Sequence, residues 1–326
     1  MTEQLKLKLN DSKATRWGAL VIVAFTMMAA YYVNDVVAPL KTMLETDLAW
    51  SSTDFGFFTG GYSFLNVFFL MLIWGGLILD RFGIRFTGKL ATILMVGGTA
   101  LEYYAMTGLA GADATLFGIN EIFGYKTGVF VAFAGYSIFG VGAEVAGITV
   151  SKIIAKWFKG KELATAMGVQ VALARIGSQA GYAVAIPLAR AFGISTPVLL
   201  GLVLLLGGMI AFFIFAVMDK KLDKQMEAAA IAAGTEDEEE KFSFKDVKNI
   251  LVNPGFWLIA LLCVLFYSCV FPFQKFASEL MIIKYGINEN VAGTFAGLPA
   301  LGALILTPVF GGFIDKRGKS ASIMLL

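Results

Sequence analysis

Gly140-Val-Gly-Ala-Glu144, the lysine-studded Lys156-Trp-Phe-Lys-Gly-Lys-Glu-Leu163 and Ala174-Arg175-Ile-Gly-Ser178 decide how this chain is read. On either side of the lysine-rich turn the sequence stays apolar for more than twenty residues, which reads as two membrane-spanning helices joined by a short basic loop. Each span carries one charge. Glu144 lies fifteen residues before Lys159 and Arg175 fifteen after Gly160, so helical rise places both about 22 Å from the turn. Lys152 and Lys156 mark where the first span leaves the hydrocarbon, which puts both charges near the middle of a core about 30 Å thick. An ionisable group there costs roughly 3 kcal/mol unless it faces a wet cavity or a partner, so a functional site is the first expectation. The alternative is a buried Glu144–Arg175 pair that only holds two helices in register.

The rest of the composition agrees with a membrane protein. Of 326 residues, 58% are hydrophobic and 15% charged, too little charge for a soluble domain of this length, so the chain reads as an all-α, polytopic membrane protein. The 26 basic residues concentrate in the N-terminal tail and in the loops on the side of the Lys159 turn, which places the N-terminus in the cytoplasm. Cys263 and Cys269 share one apolar span and read as packing residues; with no histidine in the chain there is no metal constellation. No nucleophile–base pair or phosphate loop is present, so neither an enzyme nor a cofactor is expected. The distribution of basic residues gives no nucleic-acid patch.

In chain order, residues 1–16 form a cytoplasmic tail, 17–218 hold six spans, 219–253 form a cytoplasmic linker and 254–326 begin a second set. The first span, from about Trp17 to Leu40, carries Tyr31 and Asp35 on one face; Asp35 is either cavity-lining or an interfacial helix-end charge. A cap at Ser52 or Thr53 opens the second span, which runs to about Leu79 with Tyr62 and Asn66 as a polar stripe. The third, from about Arg85 to Leu109, carries Glu102, equally readable as a snorkelling interfacial residue or a functional one. Gly168, Gly177 and Gly181 suit the fifth span for close packing. The sixth, from about Ser195 to Met218, is uniformly apolar and reads as a lipid-facing support. The linker carries the acidic run Glu236 to Glu240 and a capping-box-like Ser243-Phe-Lys-Asp246. The seventh span, interrupted by Pro272, holds Gln274, and Lys275 and Glu279 at i,i+4, readable as a substrate contact or as a self-neutralising pair.

One segment recurs. Gly76-Leu-Ile-Leu-Asp80-Arg81-Phe-Gly83-Ile-Arg85 closes the second span, and Gly311-Gly-Phe-Ile-Asp315-Lys316-Arg-Gly318-Lys319 closes the eighth, the two aspartates 235 residues apart. Glycines such as Gly76 suit close backbone approach, while the charges stay at the membrane face. A repeat at that scale implies two homologous halves with a site between them.

These paired segments resemble the loop signature of the major facilitator superfamily. The resemblance covers the whole chain and implies a fold of two six-helix halves, of which this sequence is expected to hold eight helices and the start of a ninth. More narrowly, the three stretches quoted at the outset, with Phe271-Pro-Phe273, resemble the branch containing lysosomal dipeptide transporters and their bacterial relatives. In that branch the residues matching Glu144 and Arg175 are implicated in binding the two charged ends of a dipeptide. Two positions depart from the superfamily: Tyr136 stands where an arginine is common, and Tyr182 where the proline of the antiporter motif belongs. Uniport or proton symport is therefore expected over antiport.

The functional expectation is a monomeric secondary transporter in the lipid bilayer, moving a small zwitterion such as a dipeptide by alternating access, with protons as the candidate coupling ion. An organic anion is the runner-up substrate, and a membrane receptor or scaffold on the same fold is the rival class. The outer loops contain no Asn-x-Ser/Thr sequon, which points to a bacterial inner membrane over a lysosomal one.

Overall fold

A computed structural model describes residues 8–111, 114–233 and 251–306. Its helices are α1 (Lys13–Val36), a 3-10 turn (Ala38–Leu40), α2 (Lys41–Asp47), α3 (Ser52–Phe68), α4 (Met71–Thr107), α5 (Thr127–Trp157), α6 (Leu163–Phe192), α7 (Thr196–Ala233), α8 (Pro254–Tyr285) and α9 (Glu289–Ala296). A hairpin of β1 (Glu121–Ile122) and β2 (Tyr125–Lys126) precedes α5. Among the described residues, 5 helices are long and apolar enough to cross a membrane, or up to 6 when α3 and α4 count as one bent span. α6 falls below that apolarity because it carries Gln170, Arg175, Ser178 and Gln179. Its 30 residues still reach about 45 Å at helical rise.

α5 packs most extensively on α4, and α1 on α6 and α7. The core between them is aromatic, with Tyr32, Phe55, Phe58, Tyr136 and Phe139 fully buried. Gly177 explains how closely α1 and α6 cross: a Cβ there would stand 2.1 Å from the Met28 carbonyl oxygen, a contact backbone cannot relieve. Gly168, expected to do the same, faces open space. So does Gly76, whose neighbour Gly75 makes the tight approach, against Val145.

Three element boundaries differ from the sequence reading. The first span ends at Val36, and the chain continues through the 3-10 turn and α2 before Ser51, not Ser52 or Thr53, caps α3 in a capping box with Asp54. The second span breaks at Leu70, whose φ of 52° is left-handed and interrupts the ladder, so α3 and α4 bend by 58°. Gly83 (φ 74°) then breaks α4 between what were read as the second and third spans. α7 does not end at Met218 but runs to Ala233, because Asp219 and Asp223, one turn apart, are held by neighbours. Fully buried Asp219 accepts from Lys156 Nζ (2.7 Å) and Trp157 Nε1 (3.0 Å), and Asp223 from Arg85 (2.7 Å) and Lys156 (2.5 Å). Cys263 and Cys269 are exposed instead of packed. The runs Glu236 to Glu240 and Ser243 to Asp246, and Asp315, Lys316 and Gly318 of the second repeat, lie outside the described residues.

The basic turn is clamped to the start of α1. Arg16 donates through Nη2 to Glu162 Oε2 at 2.7 Å and Lys161 Nζ to Asp11 Oδ1 at 2.8 Å. The Arg16 guanidinium holds the Glu162 carboxyl below the usual carboxylate range. A lowered folded value means the clamp stabilises the fold at neutral pH and is lost as pH falls through that value. The melting temperature of Glu162→Gln should therefore sit below wild type at pH 7, with the gap closing below about pH 4. Gly177→Ala should cost about 1–3 kcal/mol of stability through overpacking, read by thermal unfolding in detergent.

Candidate functional site

Midway along α5, Glu144 faces a cavity of about 520 Å³ lined by residues of α1, α3, α5 and α8, among them Tyr31, Asn34, Tyr62, Ser63 and Lys275. That volume falls within the range of small-molecule sites. Its walls come from small residues on α3 and α5 (Gly56, Gly60, Ala143, Gly147) and from Phe271, Pro272 and Phe276 on α8. Glu144 Oε1 accepts a 2.7 Å hydrogen bond from the Tyr62 hydroxyl, which fixes the carboxylate on the cavity wall.

Arg175 of α6 lines an adjoining space of about 30 Å³ with Asp35, Ser178, Tyr182 and Gln274. Tyr31, Asn34 and Phe271 line both spaces, so the two are contiguous. The guanidinium lies over the Tyr31 ring, 5.7 Å from its centroid, an orientation that leaves its edge donors available. Both charged residues are half-buried. Among the described residues no ion pair joins Glu144 to Arg175, and neither meets an opposite charge from another side chain. The sealed packing pair is therefore not what these residues form.

Lys275, from the second set of helices, reaches across to the first. Its Nζ donates to the Asn34 carbonyl oxygen (2.6 Å) and the Tyr136 hydroxyl (3.0 Å) and lies 3.9 Å from Asp35 Oδ1. Tyr136 in turn donates to Asn34 (2.8 Å). Asp35 is thus a wall residue of the smaller space, not an interfacial charge, and Asn34 Nδ2 donates to it at 2.8 Å. Lys275 and Glu279 do not neutralise each other. Glu279 instead accepts from Lys41 at 2.5 Å, at the outer end away from the cavity. Asn66 donates to the Tyr62 carbonyl at 3.1 Å, holding its own helix. Glu102 is fully buried with both carboxylate oxygens unpartnered among the described residues, so it does not snorkel to an interface.

At the inner face Asp80 pairs with Lys152 at 2.9 Å, Arg85 joins the Asp219–Asp223 cluster and Arg81 lies over Phe82. Sequence reasoning missed Asn34 and Tyr136 as site residues. Asn34 stands beside Asp35 in the sequence, and Tyr136 was visible only as a departure from the superfamily's arginine. Lys41, absent from the sequence reading altogether, is buried and spends its three protons on Glu45 (2.7 Å), Ser52 (2.9 Å) and Glu279. Arg190 binds Asn290 (3.0 Å) and Glu289, and the Tyr182 hydroxyl donates to the Gln274 carbonyl oxygen (3.2 Å). Among the described residues, then, every polar contact between the first six spans and α8–α9 lies at mid-depth or at the outer end.

An acid on one space and a base on the adjoining one suit a ligand charged at both ends. A guanidinium offers paired donors to a carboxylate, and the Tyr62-held carboxylate accepts from an ammonium.

Residues 17–326 match the family described as Major Facilitator Superfamily. The chain is 27% identical over 321 residues to the lysosomal dipeptide transporter MFSD1 of Homo sapiens, covering 94% of this chain and 63% of that protein. It is 27% identical over 315 residues to that of Pongo abelii (92% and 61%) and 32% identical over 199 residues to that of Gallus gallus (57% and 43%). The chain spans about three fifths of the length of the human and orangutan relatives.

Tyr62→Phe removes the hydrogen bond that holds Glu144. Because that carboxylate lines a cavity, the expected cost is about 1 kcal/mol in chemical or thermal unfolding of the purified protein.

Proposed function

The chain belongs to the major facilitator superfamily, and from that premise we propose that the protein is a secondary transporter that carries a small zwitterion, a dipeptide first among them, by alternating access. The observation that carries this reading is the placement of Glu144 and Arg175 on contiguous spaces with no ion pair between them. Arg175 takes the substrate carboxylate and Glu144 the ammonium. The relatives' printed name supports the substrate class. Transport is by uniport or with protons, and the transporter is a monomer. The membrane is a bacterial inner membrane on the evidence of its sequon-free outer loops; the relatives' lysosomal name favours the other compartment, and fractionation of the native host separates the two.

An organic anion is the second reading, favoured by Lys275 as a second cation on the cavity wall. It predicts that Glu144→Gln leaves uptake intact.

Alternating access gives the outer contacts a role. Lys41–Glu279 and Arg190–Glu289 tie the two sets of helices at the outer end, so this arrangement is the outward-closed state, and opening outward must break both. Such rocking of one half against the other about a midplane site is the family's mode of motion.

Two outcomes follow. Dipeptide addition should raise the melting temperature of the wild-type protein and leave Arg175→Ala unmoved; equal stabilisation of both removes Arg175 from the site. Lys41→Ala should shift the population outward-open, so that a cysteine at Thr59 on the cavity wall, with Cys263 and Cys269 replaced by serine, is labelled from outside several-fold faster than in the Lys41 background.

A further inference from the structure

The connection between α4 and α5 contains a short repeat that the transport site does not use: Leu116-Phe117-Gly118-Ile119 and Ile122-Phe123-Gly124-Tyr125. Each copy closes a two-residue turn. Leu116 and Ile119 exchange backbone hydrogen bonds at 3.0 Å, and Ile122 pairs with Tyr125 in the hairpin. Both turns have positive φ at both central positions, 54° and 81° at Phe117 and Gly118, 51° and 80° at Phe123 and Gly124. This is the turn family whose first central position favours asparagine, aspartate or glycine. A phenylalanine there is strained and gains nothing from the turn itself.

The strain recurs, and what it presents is the same each time. Phe117 is 95% and Phe123 88% exposed, the highest values among the large hydrophobic residues described. The turns are held in place. Tyr125 stacks on Phe57 of α3 with centroids 3.9 Å apart, the Thr127 hydroxyl donates to the Ile119 carbonyl oxygen at 2.8 Å, and Lys126 Nζ donates to the Ala49 carbonyl oxygen at 2.5 Å. The tips are therefore fixed apolar points, not the ends of a loose loop.

Their surroundings say what they meet. The hairpin leads directly into α5 and packs on α3 through Tyr125. The Phe123 ring lies 6.0 Å from that of Phe130 in the first turn of α5, and Phe130 lies 6.1 Å from half-buried Phe133 below it. Phe123 thus continues an aromatic run that descends along a membrane-spanning helix. Tyrosine and tryptophan mark the boundary between headgroups and acyl chains at that level, and an apolar ring there gains by entering the acyl side.

We propose that Phe117 and Phe123 enter the outer leaflet at that boundary, so that residues 114–126 form a lipid-anchored strut. Through the Lys126 bond to Ala49, the strut fixes the α2–α3 segment beside the Lys41–Ser52 contact at the outer end. Burial of the two rings in lipid offsets the strain of their turns.

The full-length protein in liposomes, with Cys263 and Cys269 replaced by serine, tests this. Nitroxide labels at Phe117→Cys, Phe123→Cys and Asn120→Cys are compared for collision with oxygen, which partitions into lipid, and with a water-soluble nickel chelate. The expected result is oxygen collision exceeding chelate collision several-fold at positions 117 and 123, and the reverse at exposed Asn120. Chelate access at 117 and 123 equal to that at 120 overturns the proposal, because the tips then stand in water. Protection from both probes also overturns it, because protein then covers them. Phe117→Trp and Phe123→Trp, which keep a ring at each tip, give the same decision through quenching by brominated acyl chains above the wild-type background.

Discussion

A charge held inside hydrocarbon must be paired, hydrogen-bonded or wetted, and that constraint orders the interior around the cavity; buried Glu102, unpartnered among the described residues, stands outside it. Glu144 satisfies it with one phenol and a cavity; Arg175 satisfies it with an aromatic face and the adjoining space. Lys275 uses a carbonyl, a phenol and a nearby carboxylate. None of the three is quenched by a tight ion pair, in contrast to the inner face, where Lys156 and Arg85 pair with Asp219 and Asp223. The inner-face charges are neutralised in pairs; the three at the two spaces are not.

Lys275 also joins the two sets of helices. The superfamily often places an arginine at the position of Tyr136, and here the cation arrives from the other side, with the Lys275 ammonium resting on the Tyr136 hydroxyl. The Lys275 network and the outer Lys41 contact both join the first set of helices to α8, one at the cavity and one above it.

Much of this was legible in the sequence. The basic turn between α5 and α6 fell where the lysines marked it. The repeat around Asp80 and Asp315 pointed to the family before any geometry, although the second copy lies outside the described residues. What the sequence hid was pairing across distance. Lys275 and Glu279 look like a local i,i+4 pair, yet each finds a partner on a distant element that offers a better-placed acceptor or donor. Asp219 looks like the first residue of a polar linker, yet a buried indole and lysine keep it inside a helix. Leu70 gives no sequence signal for its left-handed backbone, and the bend it makes was invisible. Hydropathy alone also understates α6, since the polar residues that build the site are what lower its score.

The central claim is that one acid and one base, kept apart by a cavity, bind opposite ends of a single small molecule. Binding of a dipeptide to the full-length protein, measured beside its N-acetylated and C-amidated forms, tests that claim most directly. The account predicts that capping either end weakens binding at least about tenfold, the equivalent of 1.4 kcal/mol, and that capping both abolishes it. Equal binding of the free and the singly capped peptides would contradict it.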